Sequence, residues 1–186
     1  MPSTRLLAPT LSALAGCSFV GVAAAQSSMG SEPEFLVQFG LRFGAVFVVN
    51  LVLGGALLGL APEYAQQMVA ELRDDAGAAF LWGLLAGIAL PIGLVLLALT
   101  IIGLVITIPG LIALFFLGLV GNAVTICWLG TLLRGRESPD GLSVVAGAFA
   151  LAVVGAIPLL GNLVTTLVGF FGLGVVAEDV YASWEG

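Results

Sequence analysis

The sequence contains no lysine and no histidine, and charge of either sign is scarce. Only 9% of its residues are charged, against about 25% in soluble domains. The missing histidines and lysines remove imidazole bases, histidine metal ligands and Schiff-base chemistry. The basic residues are Arg5, Arg42, Arg73, Arg134 and Arg136. They form no basic face, which excludes nucleic acid as a partner. Cysteine is limited to Cys17 and Cys127. Two distant cysteines make neither a disulfide framework nor a multi-cysteine metal site. No catalytic, cofactor-binding or metal-ligating set remains, so the sequence predicts a protein that is not an enzyme.

What the chain has in abundance is apolar surface. Hydrophobic types make up 60% of 186 residues, and the mean hydropathy is +1.20. A soluble domain of this size exposes too much of itself to hide that share. The composition predicts an all-α integral membrane bundle with the lipid bilayer as its solvent. The formal charge is −6 and the pI about 4.3. At molar salt the screening length falls to about 3 Å, which removes the repulsion between such a chain and anionic lipid. Acidic excess without lysine fits a halophile; a small protein that merely lacks lysine is the alternative.

Residues 1–25 have the layout of a signal peptide: Arg5, then an apolar stretch from Leu6 to Val22, then Ala23-Ala24-Ala25 before Gln26. Cleavage is expected between Ala25 and Gln26. Two alternatives stay open. Leu14-Ala15-Gly16-Cys17 matches a lipobox, which would lipidate Cys17, and an uncleaved anchor is the other. Residues 26–35 form a short extracellular segment, 36–178 the membrane domain and 179–186 an acidic cytoplasmic tail.

A membrane-crossing helix needs about 20 apolar residues. The first candidate is Leu36 to Leu60. No charge occurs from Ala76 to Leu133, roughly 87 Å of helix and more than two crossings. It divides into Ala78–Leu99 and Val105–Leu132 around a turn at Thr100 to Gly103. Pro91 should kink the former, and Pro109 sits near the start of the latter. Gly141 to Ala177 is also uncharged and divides at Ile157-Pro158 into Leu142–Ile157 and Leu160–Val176. Five crossings result. Between the first two, residues 62–77 carry Tyr64, Ala65, Met68, Val69, Leu72 and Ala76 at helical spacing. That stripe predicts an amphipathic helix, either lying on the membrane surface or packed on the bundle. With the new N-terminus outside, Arg73, Arg134 and Arg136 fall in cytoplasmic loops of a cell-membrane protein, as does the C-terminus.

Polar residues in the membrane part are few and include Asn50, Thr100, Thr107, Asn122, Thr125, Thr165 and Thr166. Asn50 and Asn122 can bond between helices or line a solute path. No ionisable aspartate, glutamate, histidine or lysine falls within a span, which speaks against a proton-coupled carrier. Gly83 and Gly87 form a GxxxG match suited to close helix packing within the chain or between copies. Ala89-Leu90-Pro91-Ile92-Gly93 faintly echoes Ala156-Ile157-Pro158-Leu159-Leu160-Gly161.

Several of these features resemble a known architecture. They are the first span, Ala61-Pro62 opening a polar helix, Ile108-Pro109-Gly110, the Ile157 to Gly161 segment and Gly172-Leu173-Gly174. Together they resemble the small multi-pass domain that prokaryotes fuse to bactofilin-like polymer-forming modules, and its stand-alone haloarchaeal form. The resemblance covers about residues 36–180 and implies a membrane domain with no catalytic residue to carry over. Residues 26–35 are too short to hold a polymer-forming module. The sequence therefore predicts a non-enzymatic membrane anchor, scaffold or complex subunit that meets a protein partner through residues 62–77 and 179–186. The alternative is a small transporter or channel-like facilitator without an intramembrane ionisable site.

Overall fold

The computed structural model describes residues 32–157 and 159–185. Their regular structure is entirely helical. In order these are α1 (Glu32–Leu60), α2 (Pro62–Asp74), α3 (Ala76–Leu84), α4 (Leu90–Ala98), α5 (Ile101–Arg134), α6 (Gly141–Ala156) and α7 (Leu160–Glu185). A π-helical segment, Leu85–Ala89, carries α3 into α4 without a break. The chain divides into two compact units, Met1–Gly40 and Leu41–Gly186. Of the first, only the helical residues 32–40 are described. The leader, with Cys17 and the Ala25–Gln26 junction, lies outside the described residues.

Four helical legs are long and apolar enough to cross a membrane: Leu36–Leu60, Ala76–Ala98, Gly103–Arg134 and Gly161–Trp184. They coincide with the first, second, third and fifth expected spans. The remaining one, α6, has 16 residues, about 24 Å of helix against a hydrocarbon core of about 30 Å. It runs antiparallel to α5, with Gly130 facing Ser143 and Gly147 facing Ile126. Large apolar side chains cover the outside of the legs, among them Leu41, Val52, Leu96, Val105 and Phe116. Such a surface is tolerable only in lipid, and helices are one of two structures that satisfy every backbone group there.

Local chemistry sets the helix ends. Pro62 occupies the first turn of α2, where a missing N–H costs nothing. Asp75, Thr100 and Asp140 cap α3, α5 and α6 by accepting hydrogen bonds from the backbone N–H groups of Ala78, Gly103 and Ser143. Gly135 ends α5 with φ +61°, a left-handed conformation that suits glycine. The α4–α5 turn is the tightest. A Cβ on Gly103 would lie 1.7 Å from the Leu97 carbonyl oxygen, so only glycine fits.

Several expectations shift. Helix α5 begins at Ile101 rather than Val105 because Thr100 supplies the cap. Pro109 therefore sits inside the helix, not at its start. Pro91 follows the π-helical segment; the wide turn relieves the clash between a proline ring and the carbonyl four residues back. Residues 179–185, expected as a tail, continue α7 as its last turns, and 32–35 open α1. The two echoing segments differ in setting. Ala89–Gly93 lies within a helical leg, while Ile157 and Leu159 belong to the turn between α6 and α7.

Helix α2 is amphipathic as expected. Of its two settings, the structure shows the packed one. Ala65, Met68, Val69 and Leu72 are fully buried. Met68 and Leu72 join Val124, Val175 and Val176, while Val69 joins Ile126, Cys127 and Val144. The apolar stripe is thus consumed by α5, α6 and α7.

Helix contacts rest on glycine. Gly83 and Gly87, the GxxxG pair, both face Phe170 of α7, and Gly174 faces Ala79 and Gly83. A Cβ on Gly174 would stand 1.6 Å from the Ala79 carbonyl oxygen and force α3 and α7 apart. A Cβ on Gly55 would meet nothing within 4 Å. Gly174→Ala should therefore lower the melting temperature in detergent by several degrees. Gly55→Ala should leave it unchanged or raise it, since alanine favours helix by up to about 1 kcal/mol. Equal melting temperatures in the two variants would contradict this packing.

Candidate functional site: a polar cavity among four helices

The polar residues of the spans are scattered in sequence but not in space. Arg42, Val46 and Asn50 lie every fourth residue along one face of α1. Asn122 and Thr125 come from α5, Leu151 and Gly155 from α6, Asn162 and Thr165 from α7. All nine line a single cavity of about 170 Å³. For scale, an apolar cavity of about 150 Å³ takes a benzene molecule. This one has space for several waters or one small solute.

Burial gives the cavity a direction. Asn162 is exposed and Arg42 half-buried, whereas Asn50 is 7% and Thr125 1% exposed. The mouth is therefore at the Arg42 and Asn162 end, beside the α6–α7 turn. Asn50 lies about 12 Å deeper along α1. One helical turn beyond Asn50 and Asn122 the cavity closes. There a Cβ on Gly54 would come 2.9 Å from both Ile126 and Val144 side chains. The cavity is a blind pocket. Phe43 and Phe47 of α1 meet Phe149 of α6 edge-on, with centroids 5.7 and 6.4 Å apart, and hold the two helices together beside it.

The hydrogen-bonding capacity of the lining is specific. The Thr125 hydroxyl donates to the Gly121 carbonyl at 2.9 Å, and Thr165 to Gly161 at 2.7 Å. Their protons are spent on their own helices. The N–H donors left for a ligand belong to the Arg42 guanidinium and the amides of Asn50, Asn122 and Asn162. Among the described residues no carboxylate lines the cavity.

Charge collects at the opposite end. Arg134 pairs with Asp140, and Arg73 donates to the Arg136 carbonyl, tying α2 to the α5–α6 loop. The hydrogen bonds from Arg134 and Ser143 hold the Asp140 carboxyl well below the usual carboxylate range. Burial, followed by the nearby Asp179, pushes the Tyr64 hydroxyl up to about 12. It stays protonated and donates to Asp179 at 3.3 Å. Beside it, Glu71, Asp74, Asp75, Glu178 and Asp179 line a groove of about 370 Å³. Glu71 accepts from Gln67 and Asp75 caps α3, so part of this set is already engaged. Among the described residues no group of three or more acidic or cysteine side chains is placed to hold a metal ion.

Sequence reasoning singled out Asn50 and Asn122, and the structure brings them to one cavity. Gly83 and Gly87 belong elsewhere, in the α3–α7 contact. Arg42 and Asn162 were missed as cavity residues. The available signal was spacing: Arg42/Asn50, Asn122/Thr125 and Asn162/Thr165 each keep one helical face.

A helical bundle with four membrane-length apolar legs is a multi-pass membrane protein. Its sequence matches, over residues 1–185, the model of a domain of unknown function, DUF8173, and the chain belongs to that family. No curated protein and no solved structure matches it.

Asp140 yields a pH prediction. Its folded-state pKa is depressed, so its contribution to stability is complete above the unfolded value of about 4. It is lost as pH falls from there toward the folded value. Asp140→Ala should melt lower than the parent in detergent at neutral pH. The gap should narrow as pH drops below about 4; a gap independent of pH would contradict the Arg134–Asp140–Ser143 arrangement.

Proposed function

We propose that this is a non-enzymatic membrane protein that binds a small polar solute in the cavity and acts as a facilitator for it. The observation that carries the reading is the convergence of six polar side chains, from three helices, on one hollow between otherwise apolar membrane-length legs. Packing alone has no use for such a gathering, since each polar group in lipid costs free energy unless it has a partner. The constriction at Gly54, Ile126 and Val144 is then the gate that must part for passage. By the positive-inside preference, the end carrying Arg73, Arg134 and Arg136 faces the cytoplasm. The C-terminus lies there too, and the cavity opens to the outside of the cell membrane.

A second reading, a scaffold or complex subunit, is favoured by the acidic groove of α2 and α7. Its partner would present basic groups.

Flux separates the two. A Cβ at Gly155 would make only ordinary contacts, 3.7 Å to Val46 and 3.8 Å to Thr165. Gly155→Leu therefore fills the hollow without displacing backbone. In proteoliposomes the parent should pass small polar solutes faster than empty vesicles. Gly155→Leu and the double variant Asn50→Leu/Asn122→Leu should each lower that flux at least tenfold, with Gly155→Leu melting no lower than the parent. Parent flux equal to empty vesicles would sink the facilitator and leave the scaffold.

A further inference from the structure

The lining of the cavity specifies the charge of what it holds. Among the described residues Arg42 is the one charged side chain lining it. It stands six residues into the Leu36–Leu60 span, about 9 Å along the helix. An arginine is protonated at any physiological pH, and a cation at such depth needs either water or an anion. Among the described residues the one ion pair joins Arg134 and Asp140 at the other end of the bundle. Among the described residues no carboxylate lines the cavity beside Arg42.

The remaining donors point to the same ligand. Three amides, Asn50, Asn122 and Asn162, each bring two N–H groups. The two threonine hydroxyls have given their protons to Gly121 and Gly161. A solute cation would meet Arg42 at the mouth and find no counter-charge inside. An anion would meet a guanidinium fork at the mouth and amide donors along the next 12 Å or so. The hollow, at about 170 Å³, exceeds the needs of a monatomic ion. It suits an anion with several oxygens.

We propose that the cavity is an anion site for a phosphate-like or carboxylate-bearing group, with Arg42 as the residue that recognises it. The inference rests on reading the cavity as a solute site and names the class of that solute. Two sources share the chemistry: a free oxyanion from the aqueous phase, or the phosphate of a lipid headgroup reaching in at the mouth.

The test is phosphorus NMR on the full chain in a phosphorus-free maltoside detergent. Inorganic phosphate is added in one arm and short-chain phosphatidylglycerol in the other. The proposal expects a saturable change in the phosphorus signal in at least one arm. A response to phosphate identifies a free solute, and a response to phosphatidylglycerol alone identifies a headgroup. Arg42→Gln should weaken the response at least tenfold and Arg42→Lys less, because lysine keeps the charge but loses the fork. Arg136→Gln, at the far end, should leave it unchanged. No saturable response in either arm, or equal loss in Arg42→Gln and Arg136→Gln, overturns the proposal. Thermal melting of each variant establishes that it is folded. Binding without flux would remove the facilitator and leave the anion site; flux of neutral solutes without anion binding would do the reverse.

Discussion

Every feature of this protein depends on one constraint: in a hydrocarbon solvent the backbone must satisfy its own hydrogen bonds, and side-chain polarity must be hidden or displaced to an end. The legs are helical because no other open structure meets the first demand. Each leg is apolar on the outside because lipid is its neighbour. Polar groups that stay within the legs then have few places to go. Thr107, Thr125, Thr165 and Thr166 donate their hydroxyls to carbonyls on their own or a neighbouring helix. Asn50, Asn122 and Asn162 have no comparable local partner, and they turn toward a common hollow instead.

The same solvent removes the ordinary reason for helices to associate, since lipid is as apolar as leucine. Close contact between backbones takes its place. Gly130 lies against Ser143, Gly147 against Ile126, Gly172 against Thr125, and Gly174 against Ala79. A methyl group at any of these positions would overlap its neighbour. Helix α1 differs. Its Gly40, Gly44, Gly55 and Gly59 face open space, and Gly54 alone presses on a partner helix. It packs through longer side chains such as Phe43, Phe47 and Leu51. That looser seat leaves the cavity between α1 and the rest of the bundle.

The span pattern was legible because hydropathy records solvent directly. The first span was read to its end at Leu60, and the uncharged stretches divided near their true turns. The boundaries that moved did so for local reasons: Thr100 caps α5 early, and the polar end of α7 winds on because Asp179 and Tyr181 find partners in Tyr64 and Trp82. The apolar stripe of α2 was visible, but its neighbour was not. Hydropathy cannot say whether Met68 and Leu72 meet lipid or protein. The cavity was the least legible part. Asn50 and Asn122 stood out as polar, yet their meeting depends on how α1 and α5 are rotated, and long uniformly apolar helices carry almost no record of rotation. Arg42 was hidden by its position near a span end, where an arginine usually serves the interface.

Polarity in the membrane is turned inward at α1. Spin labels at Asn50→Cys and Val52→Cys, in lipid nanodiscs, test it most directly. The two sites differ by about 3 Å in depth, while Val52 is 62% exposed and Asn50 7%. Accessibility is measured to oxygen, which partitions into lipid, and to a water-soluble nickel chelate. The label at position 52 should respond to oxygen and the label at position 50 to the chelate. Identical lipid-like responses at both positions would contradict it.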